Sequence, residues 1–257
     1  MTNTLRQLIG GEAKQMVRYN LLARGILRGV IWLVILLLIS QEAAENAASK
    51  LIFVDASIVS MLLLGLSFYR EQKENTIQAM MVLPVSLWPI LLTKVLSSLV
   101  LTLIPVAVTC TAVYFIHNVT FNYALLLFFV ILTVAAHTAI GFCFELLGKR
   151  LGHMLIMVYG YVFIFAVPTL LLALNIINVQ YEWMFTLSPA HAARTLFSSV
   201  VSGEFAWGKT LFNCIYLPVL AAVLMKFVVY PKFKSRVVED TYFYKDNQRK
   251  GEKKECP

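Results

Sequence analysis

Long apolar blocks alternate with short polar segments along this chain. The blocks cover residues 25–40, 51–69, 90–115, 123–147, 153–174 and 211–230. Each approaches or exceeds the ~20 residues that a helix needs to cross the hydrocarbon core of a bilayer. The pattern therefore predicts an all-α integral membrane protein with six transmembrane helices. The first block, GILRGVIWLVILLLIS, is short, and its Arg28 is expected to snorkel toward the interface. Ahead of it, Leu5, Leu8, Ile9, Met16 and Val17 share one helical face, while Arg6, Lys14 and Arg18 point elsewhere. That is the pattern of an amphipathic helix lying in the membrane interface. The first twenty residues are too polar for the apolar stretch of a cleavable signal peptide. The expected organisation is an interfacial segment over 1–24, a six-span domain over 25–230 and a charged tail over 231–257.

Composition agrees with the pattern. Hydrophobic residues make up 59% of the chain and charged residues only 14%, against about 25% charged in an ordinary soluble domain. The formal charge of +8 matters here through its placement, since Lys and Arg collect on the cytoplasmic side of a membrane protein. Arg6, Lys14, Arg18, Arg24, Arg28, Arg70, Lys73, Lys94, Lys149, Arg150 and the many basic residues from Lys226 onward fall on one side of the expected topology. Only Lys50, Arg194 and Lys209 fall on the other. Both termini are thus expected in the cytoplasm, which an even number of spans also requires, and the charge is read as topology with no nucleic-acid partner. Cys110, Cys143 and Cys214 lie in apolar runs and read as small fillers, with Cys256 as a tail thiol.

Residues 203–210, GEFAWGKT, fit the phosphate-loop spacing G-x-x-x-x-G-K-[ST] through Gly203, Gly208, Lys209 and Thr210. A working phosphate loop follows a strand and opens a helix within an α/β domain. This stretch instead sits between the fifth and sixth spans, on the side away from cytoplasmic ATP. Phe205 and Trp207 suit a membrane interface better than a phosphate cradle. The match is read as a coincidence, and no cofactor or metal is expected on this chain.

The segment that carries function is the cytoplasmic one between the second and third spans, YREQKENTIQAMMVLPVSLWPILLTK, residues 69–94. Asn75 is a good N-cap, and Gln78 three residues later completes a capping-box pattern. Glu71 and Glu74 precede the helix start, where negative charge suits the dipole. Ile77, Met80 and Met81 share a face, and Pro84 closes the turn. The physics predicts a short surface helix. It serves equally as a connector resting on lipid headgroups or as a docking element whose methionines are adaptable apolar knobs.

This stretch resembles the signature region of ABC-2 type permeases, the membrane subunits of one class of ABC transporter. Arg70, Glu71, Thr76, Pro84, Val85, Ser86 and Lys94 match the family pattern as they stand, while Asn75 replaces a usual Gly and Gln78 a usual Glu. The resemblance implies an N-terminal elbow helix, a cytoplasmic coupling helix and a plasma-membrane exporter. It implies a separate ATP-binding subunit that holds ATP and Mg, and a second permease copy or a paralogue. The implied cargo is a drug, an antimicrobial peptide or a lipid-like molecule. Carried over, Arg70, Glu71, Glu74, Asn75, Thr76, Ile77, Met80, Met81 and Pro84 form the partner-docking set, and the chain itself is non-catalytic.

Several other residues bear on rival readings. Asp55 is placed near the outer edge of the second span and read as a hydrated residue, with a substrate or proton role as the alternative. His137, Glu145 and His153 are read as structural, with a Glu145–Lys149 pair at i, i+4. An intramembrane protease would use these three, and a proton-driven transporter would use Asp55 or His137. Pro105, Pro168 and Pro218 are expected to kink their spans. Gly141 and Gly160 are candidates for close helix approach. Ser188 and Pro189 are expected to open a capped short helix, and Asn118 heads a formal glycosylation sequon.

Overall fold

The computed structural model describes residues 2–73, 87–148, 151–174, 176–177 and 185–235. Helices α1 (Thr2–Arg18) and α2 (Leu21–Leu37) are followed by α3 (Gln41–Val54) and α4 (Ser60–Lys73). Then come α5 (Leu87–His117), α6 (Tyr123–Leu147), α7 (Leu151–Tyr161), α8 (Val167–Ala173), α9 (Pro189–Ser202) and α10 (Trp207–Val223). No strand occurs among the described residues.

Five rods are long and apolar enough to cross a membrane: Ala43–Glu71, Leu87–His117, Tyr123–Leu147, Leu151–Ala173 and Trp207–Ser235. A sixth is counted if α1 and α2, bent by 61° at their junction, form one span. Asn20 makes that bend in the left-handed region, at φ 53°, a conformation Asn tolerates better than most side chains. By itself α2, with 17 residues, sits at the short limit for spanning.

Three of the rods contain a π-helical turn, at Asp55–Val59, Val162–Ala166 and Leu224–Val229. The first joins α3 to α4 without a break. There the Ser57 hydroxyl donates to the Phe53 carbonyl, and Ser60 donates to Ala56 O at 2.7 Å. These hydroxyls supply donors where the helical register shifts and lipid offers none. Of the three prolines, Pro168 follows the second π turn at the start of α8, while Pro105 and Pro218 lie inside α5 and α10.

The second span begins earlier than the hydropathy pattern suggests. Its first turns are polar on one side, but Ala44, Ala48 and Ile52 are fully buried at helical spacing. They pack in one core with Ala190, Ala193 and Phe197 of α9. That helix opens as its sequence predicts, with the Ser188 side chain accepting from His191 N and Pro189 in the first turn. At the same end, the His117 ring nitrogen Nε2 meets Leu36 O at 2.9 Å, capping the last turn of α2.

The opposite end is held by a second cluster, which includes Phe68, Ile90, Leu146, Val229 and Phe233, with Leu8 of α1 packed against it. Helix α1, the C-terminal end of α4, the start of α5 and the last described turn of the chain therefore share one end of the bundle. Gly141 lets α6 approach α4 closely, since a Cβ there would stand 3.2 Å from the Met61 Cα. Gly160 has no such role, because a Cβ at that position meets nothing within 4 Å.

Candidate functional site

At this shared end three charged side chains converge. Lys94 lies ~10 Å along α5 and is 2% exposed. Its ammonium pairs with the Glu71 carboxylate near the end of α4, and with Glu12 Oε1 on α1 at 2.5 Å. Both acids are buried. Ser67, one turn before Glu71 on α4, hydrogen-bonds the Glu71 carboxylate. Buried charge survives only when paired and hydrogen-bonded, so this cluster fixes how the three helices meet.

Local sequence explains the convergence. On α1, Leu8, Glu12 and Met16 are spaced by four and form the inward stripe, with Met16 buried against Leu21 and Leu101. Ile9 and Val17, expected on the same apolar face as Leu8 and Met16, are exposed. Glu12 was not singled out from the sequence. The available signal was its place at the centre of an i, i+4, i+8 stripe that is otherwise apolar.

Of the partner-docking set, Arg70 and Glu71 are described. Arg70 carries its guanidinium over the Tyr19 ring, 5.0 Å from the centroid, a cation–π contact that ties α4 to the α1–α2 junction. Glu71 is buried against Lys94 and does not present its carboxylate on the surface. Glu74, Asn75, Thr76, Ile77, Met80, Met81 and Pro84 lie outside the described residues, as does Lys149, the expected partner of Glu145.

Within the span region two expectations change. Asp55 is 1% exposed and lies ~20 Å along the rod from Gln41, so it is not a hydrated edge residue. Arg28 does not snorkel away. Its Nε is 2.7 Å from Asp55 Oδ1, and its Nη2 donates to Leu101 O at 3.3 Å. Trp32, one turn on from Arg28, donates its indole N–H to Asp55 Oδ2 at 2.6 Å. Two residues on one face of α2 thus clasp a carboxylate at the first π turn. The reason is the cost of lone charge away from water, which a partner at the same depth removes.

His137 is fully buried. Its Nδ1 lies 2.9 Å from Thr133 O and its Nε2 3.0 Å from the Tyr161 hydroxyl. A carbonyl only accepts, so Nδ1 carries the proton and Nε2 accepts from tyrosine. Both ring nitrogens are engaged in the neutral form. His153 is exposed on α7, and no cluster of three His, Cys, Asp or Glu side chains among the described residues is arranged to hold a metal.

The GEFAWGKT stretch follows helix α9 and not a strand. Gly203, at φ 72°, ends α9, and Gly208, Lys209 and Thr210 lie in the first turns of α10. The Phe205 and Trp207 rings stack at 5.5 Å between centroids. The strand–loop–helix context of a phosphate loop is not what surrounds these residues.

Residues 28–230 match the family model described as ABC-2 family transporter protein. A comparison with curated proteins found no match. The match takes in the bundle from the middle of α2 to the end of the last π turn, and the chain belongs to the ABC-2 transporter family.

Proposed function

We propose that this chain is the permease subunit of an ATP-driven ABC-2 type exporter. The observation that carries the reading is the family match over residues 28–230. In this reading the chain is a non-catalytic membrane subunit. ATP and Mg are handled by a separate ABC ATPase subunit, and two permease copies or paralogues form the path. The cargo class is hydrophobic or amphipathic, such as a drug, an antimicrobial peptide or a lipid-like molecule.

The positions of the elements support this reading. Helix α1 and the final helical turns sit at the end of the bundle where α4 leaves off and α5 begins. In this reading that end of the bundle faces the cytoplasm, in agreement with the distribution of Lys and Arg. In this reading α1 serves as the elbow helix, and Arg70, Glu71, Glu74, Asn75, Thr76, Ile77, Met80, Met81 and Pro84 serve as the docking element for the ATPase.

The test is co-purification from the native host in mild detergent. An ABC ATPase subunit, identified by mass spectrometry and by vanadate-sensitive ATP hydrolysis, is expected to accompany the wild-type chain. It is expected to be lost from a Met80→Asp/Met81→Asp variant that still reaches the membrane. A wild-type chain that purifies without any ATPase would overturn the reading.

A further inference from the structure

We infer that the half of the α5–α6 hairpin remote from Lys94 is a binding site for one acyl chain of a membrane phospholipid, held lengthwise in the furrow between the two helices. The inference goes beyond the permease reading and does not depend on it. It needs only that α5 and α6 cross a bilayer.

Small side chains open the furrow. On α5, Leu103, Ala107, Cys110 and Tyr114 follow the i, i+4, i+7, i+11 spacing of one helical face. The middle two are small where the outer two are large. On α6, Tyr123, Leu126 and Val130 recur at the same kind of spacing. Val113 and Phe129, off these faces, are buried in the core. What remains in front is a cavity of about 380 Å³, within the ~300–1,000 Å³ typical of small-molecule sites.

The lining selects hydrocarbon. Among the described residues, no charged side chain borders the cavity. The Thr111 hydroxyl is spent within its own helix, donating to Ala107 O at 2.7 Å. Such a wall offers water too few partners to stay and nothing to fix an ion. Length selects further. From position 103 to position 114 the furrow runs ~17 Å along α5, against ~15 Å for one leaflet's share of the hydrocarbon core. It ends between Tyr114 and Tyr123, beside the turn that joins the helices. Tyrosines favour the level at which a phospholipid leaves hydrocarbon for its headgroup.

The rim separates a lipid chain from a helix of a second copy. Tyr114, Phe115, Tyr123 and Leu127 stand exposed there, and the Tyr114 and Phe115 rings meet edge to face at 5.0 Å between centroids. Helices associate in membranes across small residues that let backbones approach. Four bulky side chains hold a helix off, whereas a single chain passes between them. Since bulk lipid is as apolar as the furrow, the hold comes from packing along the chain, and headgroup type is immaterial.

The test places the full chain in nanodiscs of phosphatidylcholine or phosphatidylglycerol. Each carries a trace of the same lipid with a diazirine midway along one acyl chain. After illumination, adducts are located by peptide mass spectrometry. The reference is the 156–165 stretch, where Ile156, Tyr159, Phe163 and Ile164 are also exposed and apolar. Adducts on 103–114 and 123–130 are expected to exceed those on the reference about fivefold, an affinity difference of ~1 kcal/mol, with either headgroup. Ala107→Trp fills the furrow and is expected to remove that excess while leaving the reference adducts and the melting temperature unchanged. If it does not accumulate, Cys110→Phe, one turn on, decides. Even labelling of furrow and reference would mean bulk lipid only and overturn the site. So would an excess that survives the filling variants, or one that follows a single headgroup. Crosslinking of Cys110 between two copies by a short bismaleimide, with no lipid excess, would show that a second copy covers the furrow and overturn it equally.

Discussion

The Arg28 guanidinium and the Asp55 carboxylate meet at 2.7 Å, joining α2 to the π turn in the middle of the second span. Trp32 completes the clasp from the same face of α2. Removing one member of a buried pair leaves the other charge uncompensated, which typically costs ~3–5 kcal/mol. Arg28→Met and Asp55→Leu alone are each expected to lower the melting temperature of the detergent-solubilised chain strongly. The double variant is expected to recover most of the loss, because two apolar side chains of similar bulk leave no charge behind. Thermal unfolding followed by size-exclusion profile measures this. Additive losses in the double variant would show that the two residues do not act as a pair.

Helix approach at Gly141 is limited by backbone, since the facing atoms are the Met61 Cα at 3.2 Å and the Met61 carbonyl oxygen at 3.3 Å. A backbone cannot swing aside as a side chain does. Gly141→Ala is expected to cost ~1–3 kcal/mol by forcing α6 away from α4. Gly160→Ala is the control. Its added methyl meets open space and alanine is the better helix former, so stability is expected to hold or rise by up to about 1 kcal/mol. Melting curves of the two variants under one detergent condition decide the point.

The His137–Tyr161 contact is a satisfied buried hydrogen bond. Tyr161→Phe deletes the donor and strands Nε2 as an unpartnered acceptor, at an expected cost of ~1–3 kcal/mol. Adding His137→Phe removes the stranded acceptor and is expected to restore part of that loss. Vanadate-sensitive ATP hydrolysis by the purified complex is expected to continue in the double variant. Loss of activity with full stability would give His137 a chemical role that its two bonded nitrogens argue against.

The amount of this that the sequence discloses follows from the range of each interaction. Span lengths are imposed by the bilayer on each segment separately, so residues 90–115 and 123–147 are visible as apolar runs inside α5 and α6. The cap at Ser188 is visible for the same reason, since its partner is three residues away. The first turns of α3 are hidden because their buried stripe, Ala44 and Ala48, is made of alanines that scarcely register beside polar neighbours. Glu12 and Lys94 are each legible as charges, but not as partners, because their meeting depends on how α1 lies against α5. Arg28 and Asp55 are misread for the same reason. Each alone looks like a residue seeking the interface, and only the register of α2 against the second span shows that they seek each other. The two glycines differ in the same way, Gly141 facing Met61 and Gly160 facing open space.

The phosphate-loop spacing at Gly203–Thr210 makes the last prediction. A phosphate cradle works because successive backbone N–H groups curve around the anion between a strand and a helix N-terminus. Here Gly203 uses its positive φ to end α9, and the stacked Phe205 and Trp207 flank the start of α10. Trp207 is 72% exposed, which suits an aromatic at the membrane surface, and Lys209 follows it within the first turn of α10. Lys209→Ala is therefore expected to leave ATP hydrolysis by the complex within about twofold of wild type, as is usual for surface substitutions away from a site. The chain freed of its ATPase is expected to take up no photoreactive ATP analogue. Lys209-dependent labelling of the isolated chain would mean that these residues bind nucleotide after all, and would place ATP on the side of the membrane opposite to the Lys94 cluster.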